Sequence, residues 1–306
     1  MIQAIELALS QIEFDLIECN DTMMIAKQPR LLLIAVAWLV LNFVGMAPAS
    51  SALEVHGEWV QGGMLYGWVE PGTRLEFLQR KVRVDADGLF VIGLGRDAPK
   101  SVTLTMTTPN GVAETQTFTV KQRQYNIQRV EGVPQETVNP PDDELARIQK
   151  ESTLTRQARA KDLPRRDFLE TFQWPVTGPI TGVYGSQRIY NGEPRRPHFG
   201  VDVARPTGTP VHAPASGVVT LAYDNMFFSG GTLIIDHGHG VSSTFIHLSK
   251  ILVPEGKEVA QGDLIAEVGA TGRVTGPHLD WRMNWFTQQI DPQLLVGPMP
   301  KQNEAH

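Results

Sequence analysis

From Phe172 onward, apolar residues occur in short runs of four or five, and glycine-bearing turns separate them. Val218-Val219-Thr220-Leu221, Thr232-Leu233-Ile234-Ile235 and Leu264-Ile265-Ala266-Glu267-Val268 are such runs. Ser229-Gly230-Gly231, Gly238-His239-Gly240 and Gly262-Asp263 are such turns. Runs this short, rich in β-branched residues, read as strands, because a helix needs an apolar face sustained over about ten residues or more. No long amphipathic helix interrupts the pattern. The C-terminal half is therefore expected to be an all-β core of antiparallel sheets.

Residues 53–122 have the same texture on a smaller scale. Leu75-Glu76-Phe77-Leu78 and Val102-Thr103-Leu104-Thr105-Met106 alternate, and Pro71-Gly72, Asp87-Gly88 and Asn110-Gly111 punctuate them. This predicts a small β-sandwich-like domain that serves as a binding or spacer module. Its His56 reads as a surface residue. Residues 123–171 read as a linker with a helix, starting near Asn139-Pro140-Pro141-Asp142-Asp143-Glu144, where prolines precede the first turn and acids fall within it. Leu145, Ile148 and Leu154 give a thin apolar stripe among many basic residues. A solvated linker helix is the expectation, with a docking surface for an anionic polymer as the alternative.

The first residues carry a targeting signal. Lys27 and Arg30 form a basic lead, Leu31 to Val44 is nearly all apolar, and Ala47-Pro48-Ala49-Ser50-Ser51-Ala52 are small. Residues 23–52 thus read as a signal peptide cleaved near Ala49 or Ala52, which touches the membrane only transiently. Residues 1–22 are acidic and contain no Lys or Arg, so translation is read as starting at Met23 or Met24. The mature protein would then be periplasmic or secreted. The single cysteine, Cys19, lies in that extension, so any metal must be held by histidine and carboxylate. A net charge of -6 gives no reason to expect nucleic-acid binding.

Two motifs carry chemistry: His198-Phe199-Gly200-Val201-Asp202, and His278-Leu279-Asp280 about eighty residues later. Residues two apart on a strand share a face, so His278 and Asp280 should point the same way. His198 and Asp202 converge if a turn intervenes, and Gly200 makes one easy. A catalytic zinc site has three protein ligands and one open position. His, Asp and a third group from a distant strand satisfy that, and a further His could act as acid, base or oxyanion stabiliser.

Residues 172–292 resemble the peptidase domain of the M23 family, the lysostaphin and LytM type of zinc metalloendopeptidase. The stretches that carry the resemblance are His198-Phe199-Gly200-Val201-Asp202, Gly208-Thr209-Pro210-Val211, Ala213-Pro214-Ala215-Ser216-Gly217-Val218-Val219, Ile235-Asp236-His237-Gly238, His247-Leu248, Gly269-Ala270-Thr271-Gly272 and Thr275-Gly276-Pro277-His278-Leu279. They cover about 40% of the chain, in the family's order. The resemblance implies the duplicated hybrid motif core within residues 172–296, followed by a tail over 297–306, and one zinc ion. It implies His198 and Asp202 as zinc ligands, His247 beside the reacting water, and His278 at that water or the oxyanion. Asp280 stands where the family has its third ligand, a histidine. An aspartate there makes the site more anionic, which predicts a weaker Lewis acid. Arg188 and Asn191 precede the first ligand in a loop bordering the family's groove and are expected to touch substrate. His212, His237 and His239 are read as structural.

The activity so implied is hydrolysis of peptide bonds in peptidoglycan stems or cross-bridges, with wall hydrolases or division-site proteins as partners. A second reading is a catalytically impaired relative that binds the wall or activates another hydrolase. A third is a secreted peptidase acting on proteins.

Overall fold

The computed structural model describes residues 53, 55–130 and 142–300. The acidic extension, the signal segment, Cys19 and the end of the tail lie outside the described residues. No helix among the described residues is long and apolar enough to cross a membrane.

The N-terminal part contains β1 (Met64–Trp68), β2 (Arg74–Phe77), β3 (Leu89–Gly93), β4 (Ser101–Thr107) and β5 (Ala113–Thr119). β1 lies between Val55–His56 and β3 in one sheet. The other sheet runs Arg80–Val82, β2, β4, β5. β4 shows the alternation expected of a half-covered strand: Val102, Leu104 and Met106 point in while Ser101 and Thr103 face out. Every residue of β3 is buried, because it packs against the C-terminal half.

Helix α1 (Leu145–Arg159) follows, with acids in the short 3₁₀ turn before it and Arg156 and Arg159 in its last turn, as the helix dipole favours. It is not a solvated linker. Ala158 and Leu154 pack on Leu221, Tyr223, Met226 and Ile234 of the sheet beneath. Of the apolar stripe, Leu154 docks while Leu145 is exposed, so the stripe is only part of the docking face. The buried face includes Glu151, whose carboxylate accepts from Arg147 Nε and from the Phe227 backbone N–H, both at 2.8 Å. A charged residue satisfied in this way docks a helix without showing in its hydropathy pattern.

The C-terminal half is built on an eight-stranded antiparallel sheet containing β6 (Gly200–Ala204), β7 (Gly217–Met226), β8 (Gly230–Gly238), β9 (Val241–Leu248) and β10 (His278–Trp285). Its order is Glu258–Val259, β7, β8, β9, β10, β6, Ile180–Gly182, with Gln288–Ile290 also paired to β10. A smaller sheet joins Pro210–His212, Leu264–Glu267 and Lys250–Ile251. All residues of β8 and β9 are buried, which is unusual for antiparallel strands and means that both faces are covered. Along β8, Leu233 and Ile235 enter the main core while Ile234 meets α1.

One apolar core runs through both halves and includes Phe77, Phe90 and Ile92 with Trp281, Trp285 and Ile290. The Phe77 and Trp285 rings lie 6.1 Å apart. Gly93 allows this approach: a Cβ there would sit 2.6 Å from Cβ of Trp285. Arg123 donates to the buried Asp291 across the same seam at 2.7 Å.

Candidate metal centre

β6 and β10 are antiparallel neighbours with Asp202 directly opposite Asp280, Gly200 opposite Arg282 and Ala204 opposite His278. Directly opposed side chains share a face, as do residues two apart on one strand. The register therefore gathers Asp202, His278, Asp280 and Arg282 on one side of the sheet. His198 precedes β6 in irregular chain and is tied at both ends of its peptide. Its N–H donates to Ser186 O, and its carbonyl accepts from Gly185 N, both at 2.8 Å. Gly200 makes no turn; it is a residue of β6. Its value is space, because a Cβ would strike Asp280 Oδ1 and Arg282 Cγ.

His198 Nε2 stands 3.3 Å from Asp202 Oδ1, and His278 Nε2 is 3.7 Å from the same oxygen. His198 Nδ1 lies 3.9 Å from Asp280 Oδ2. His198 Nε2 and Asp202 Oδ1 are both buried and neither has a hydrogen-bond partner. Such orphaned atoms are costly unless something else meets them. The rings of His247 and His278 are 5.0 Å apart. His247 Nδ1 meets Thr271 O, and His278 Nδ1 meets Gly276 O, each at 2.9 Å. A carbonyl only accepts, so Nδ1 carries the proton and Nε2 keeps a lone pair in both rings. His247 also has a left-handed backbone, φ 67°, which a non-glycine residue adopts at a cost and which clusters at functional sites. The β8–β9 pairing shifts register in this region, between Gly231 and Leu233.

Asp280 is nearly inaccessible and is clasped by Arg282, with Nε at 3.0 and 3.1 Å from its two oxygens and Nη2 at 2.6 Å from Oδ2. Burial alone would raise its pKa; the charge and hydrogen bonds of Arg282 outweigh that and hold it below the ordinary carboxylate range. The more anionic site expected from Asp280 counted that residue alone. Arg282 offsets the extra charge, so Asp280 and Arg282 together carry the same formal charge as a neutral histidine. For His198, burial favours the neutral ring, but the contact with Asp202 and the charge of Asp280 outweigh it and raise the pKa. A metal binds only the neutral ring, so proton and metal compete there. Burial lowers the pKa of His247.

His198, Asp202 and Asp280 fit a metal ion. One ligand atom from each lies within 4.8 Å of the others, against the roughly 3.4 Å separation implied by tetrahedral zinc with ligands at about 2.0–2.1 Å. The two orphaned atoms are the strongest sign of fit. Asp280 can take part only through a lone pair that Arg282 leaves open; a carboxylate has about four such sites.

Arg188 and Asn191 fall elsewhere. Arg188 is exposed on the strand Gln187–Tyr190, and Asn191 sits in the turn after it. Neither lines the cavity beside His247. His212 is exposed, with Nδ1 against Gly262 O at 2.9 Å. His56 is exposed and stacks on Tyr66. Sequence reasoning overlooked Arg282, although its period-two spacing from His278 and Asp280 marks it as a same-face neighbour. It also overlooked Arg196, and it read Arg159 only as one of the helix's basic residues; no local pattern brings either to the centre.

A mostly antiparallel β fold carrying a histidine–carboxylate cluster at a strand pair is the architecture of a metallopeptidase class, and comparison with known proteins identifies it. The model of peptidase family M23 matches residues 196–292. A Pseudomonas aeruginosa crystal structure assigned to peptidase M23 is 30% identical, covering 78% of this chain and 96% of that one at a TM-score of 0.63. This chain belongs to the M23 peptidase family. It is 41% identical over 102 residues to the peptidoglycan DD-endopeptidase ShyA of Vibrio cholerae, covering 30% of this chain and 24% of that protein. It is 39% identical over 110 residues to the DD-carboxypeptidase/endopeptidase Mpg of Neisseria meningitidis serogroup B, covering 36% and 25%. The matches thus span about a quarter of the length of these curated relatives.

Proposed function

We propose that this chain is a zinc-dependent endopeptidase that cuts peptide bonds in peptidoglycan outside the cytoplasm. The observation that carries the reading is the convergence of two orphaned buried atoms, His198 Nε2 and Asp202 Oδ1, beside two histidines whose Nδ1 atoms are anchored on carbonyls. The names of the relatives, both concerned with DD-peptide bonds or peptidoglycan, supply the substrate. His198, Asp202 and Asp280 would hold the ion, which when bound would supply a Lewis acid and a water of lowered pKa. His278 Nε2 lies 3.7 Å from Asp202 Oδ1, and the His247 ring is 5.0 Å from that of His278. One of the two rings accepts the water's proton, and the other, once protonated, donates to the developing oxyanion of the scissile carbonyl. Burial within β9 shields His247, while His278 at the start of β10 stays partly open to solvent.

Arg282 favours a second reading. By occupying most of the Asp280 carboxylate, it could leave a two-ligand site that binds wall peptides without cutting them. Incubation of the purified protein with isolated sacculi, with metal content measured in parallel, separates the two. Release of peptide fragments that stops on chelation and returns with zinc is the expected result. Intact sacculi together with a metal-free protein after zinc addition would establish the binding module instead.

A further inference from the structure

A cavity of about 570 Å3 lies between α1 and the sheet, with His247 in its wall. Six arginines line it: Arg80, Arg156, Arg159, Arg196, Arg273 and Arg282. Its lining has one acid, Glu151, which is already committed to Arg147 and the Phe227 N–H. Arg282 is committed to Asp280. Arg159 donates Nε and Nη2 only to the hydroxyl of Thr244, at 3.3 and 3.0 Å. Arg196 lies over the Phe199 ring, 5.4 Å from its centre. Neither Arg159 nor Arg196 has an ion-pair partner among the described residues.

This arrangement costs stability. Burial, then the like charges of Arg282 and Arg196, push Arg159 down to about 9. Partial burial, then the charge of Arg282, lowers Arg196 as well, although much of its side chain is exposed to solvent. Guanidinium groups brought together without a counter-ion repel one another, and the fold keeps them beside the metal centre. Forked donors of this kind match a carboxylate bidentately. Helix α1 must dock as it does, through Glu151 and Ala158, for Arg159 to reach the cavity.

We propose that Arg159 and Arg196 form a subsite for a free carboxylate of the peptide substrate, so that the protein selects peptides with an unamidated acid next to the bond presented to His247. The identity of the ligand rests on the peptidase reading above; the anion site itself does not. Arg159 and Arg196 are specificity-determining residues here, and α1 is part of the substrate site.

Equilibrium binding to the full chain tests this, with and without one equivalent of zinc. The probes are a peptidoglycan stem tetrapeptide with free carboxylates and the same peptide with every carboxylate amidated. The free acid should bind about tenfold tighter or more, the order expected of one charge-assisted pair. Arg159→Gln and Arg196→Gln, which change different elements, should each shrink that ratio to below about threefold, weakening the free acid far more than the amide. Each should also melt at the same or a higher temperature, because a repelled charge has been removed from a cluster of like charges. Equal affinities of the native protein for the two peptides would overturn the proposal, as would a ratio that survives both substitutions. So would lower melting temperatures with both affinities reduced alike, which mark a structural role. Intact sacculi with a retained carboxylate preference would remove the peptidase reading and leave this one standing. Cleaved sacculi without the preference would do the reverse.

Discussion

The β8–β9 hairpin buries titratable groups at both its ends, and the two ends differ in kind. At the turn, Asp236, His237 and His239 are shielded from solvent. At the far end, His247 faces His278 and, across β10 and β6, the His198–Asp202 pair. Burial depresses His237 and His239 to about 4 and raises Asp236 to about 7. These shifts are large, yet the turn has no site geometry. His237 spends both nitrogens internally, on Ser216 O at 2.6 Å and Ser243 Oγ at 2.7 Å; His239 packs on Phe168, its two nitrogens buried without a hydrogen-bond partner. Among the described residues, only His198, Asp202 and Asp280 bring three potential ligand atoms together. Asp236 Oδ2 and both His239 nitrogens are orphaned as well, so neither a perturbed pKa nor an orphaned atom alone marks more than burial; three potential ligand atoms brought together mark a site.

The sharpest way to break this contrast is to remove one histidine from each end. His198→Ala should cost at least about 10²–10³-fold in sacculus hydrolysis, the range for losing one electrostatic stabiliser, and should abolish zinc binding by metal analysis. His237→Ala should keep full zinc occupancy and lose about 2–3 kcal/mol of stability, since it orphans buried partners. Zinc loss in both variants would erase the distinction.

Removing Arg282 probes the metal end more finely. Arg282→Met leaves the Asp280 carboxylate buried and unpaired, which should cost about 3–5 kcal/mol in chemical denaturation. Zinc should restore part of that loss, because a cation then meets the carboxylate. No recovery with zinc would mean that Asp280 stays away from the metal.

The smallest effect belongs to the turn and shows in its pH dependence. Between pH 4 and 6.5 the unfolded chain carries protons on His237 and His239 that the folded chain refuses, while folded Asp236 holds one that the unfolded chain has released. The net excess of one proton in the unfolded state makes stability fall on acidification through that window, by about 3 kcal/mol at most. Asp236 acts in the opposite sense, and its penalty is complete above pH 7. Asp236→Asn should therefore gain about 1–2 kcal/mol at pH 8 and nothing near pH 3, in urea midpoints. Asparagine keeps the acceptor that Gly238 N–H uses at 2.9 Å. A variant no more stable than the native protein at pH 8 would show that Asp236 is not strained by its charge.

Much of the site was legible because it is written in strand periodicity. His278 and Asp280 share a face by spacing, and the family motifs pointed to His247. Arg282 follows the same spacing and was readable by the same rule. Other features are matters of three-dimensional docking. Arg159 arrives on a helix whose docking face is a satisfied glutamate, so hydropathy hides it. Gly200 matters for the space above it, which depends on which strand lies opposite. Arg188 and Asn191 are near His198 in sequence, but they belong to a three-stranded ribbon with Ile127–Val130 and Glu193–Pro194, and neither lines the cavity beside His247.

The contact between Gly93 and Trp285 has an evolutionary corollary. A side chain at residue 93 and an indole at residue 285 compete for the same volume, so neither position can drift alone. The peptidase half is thus no transferable cassette: grafted without the N-terminal strands, it would expose the wall that Phe77 and Phe90 now cover. Lineages that keep both halves should show these two positions changing as a pair, a bulkier residue at one accompanied by a smaller one at the other.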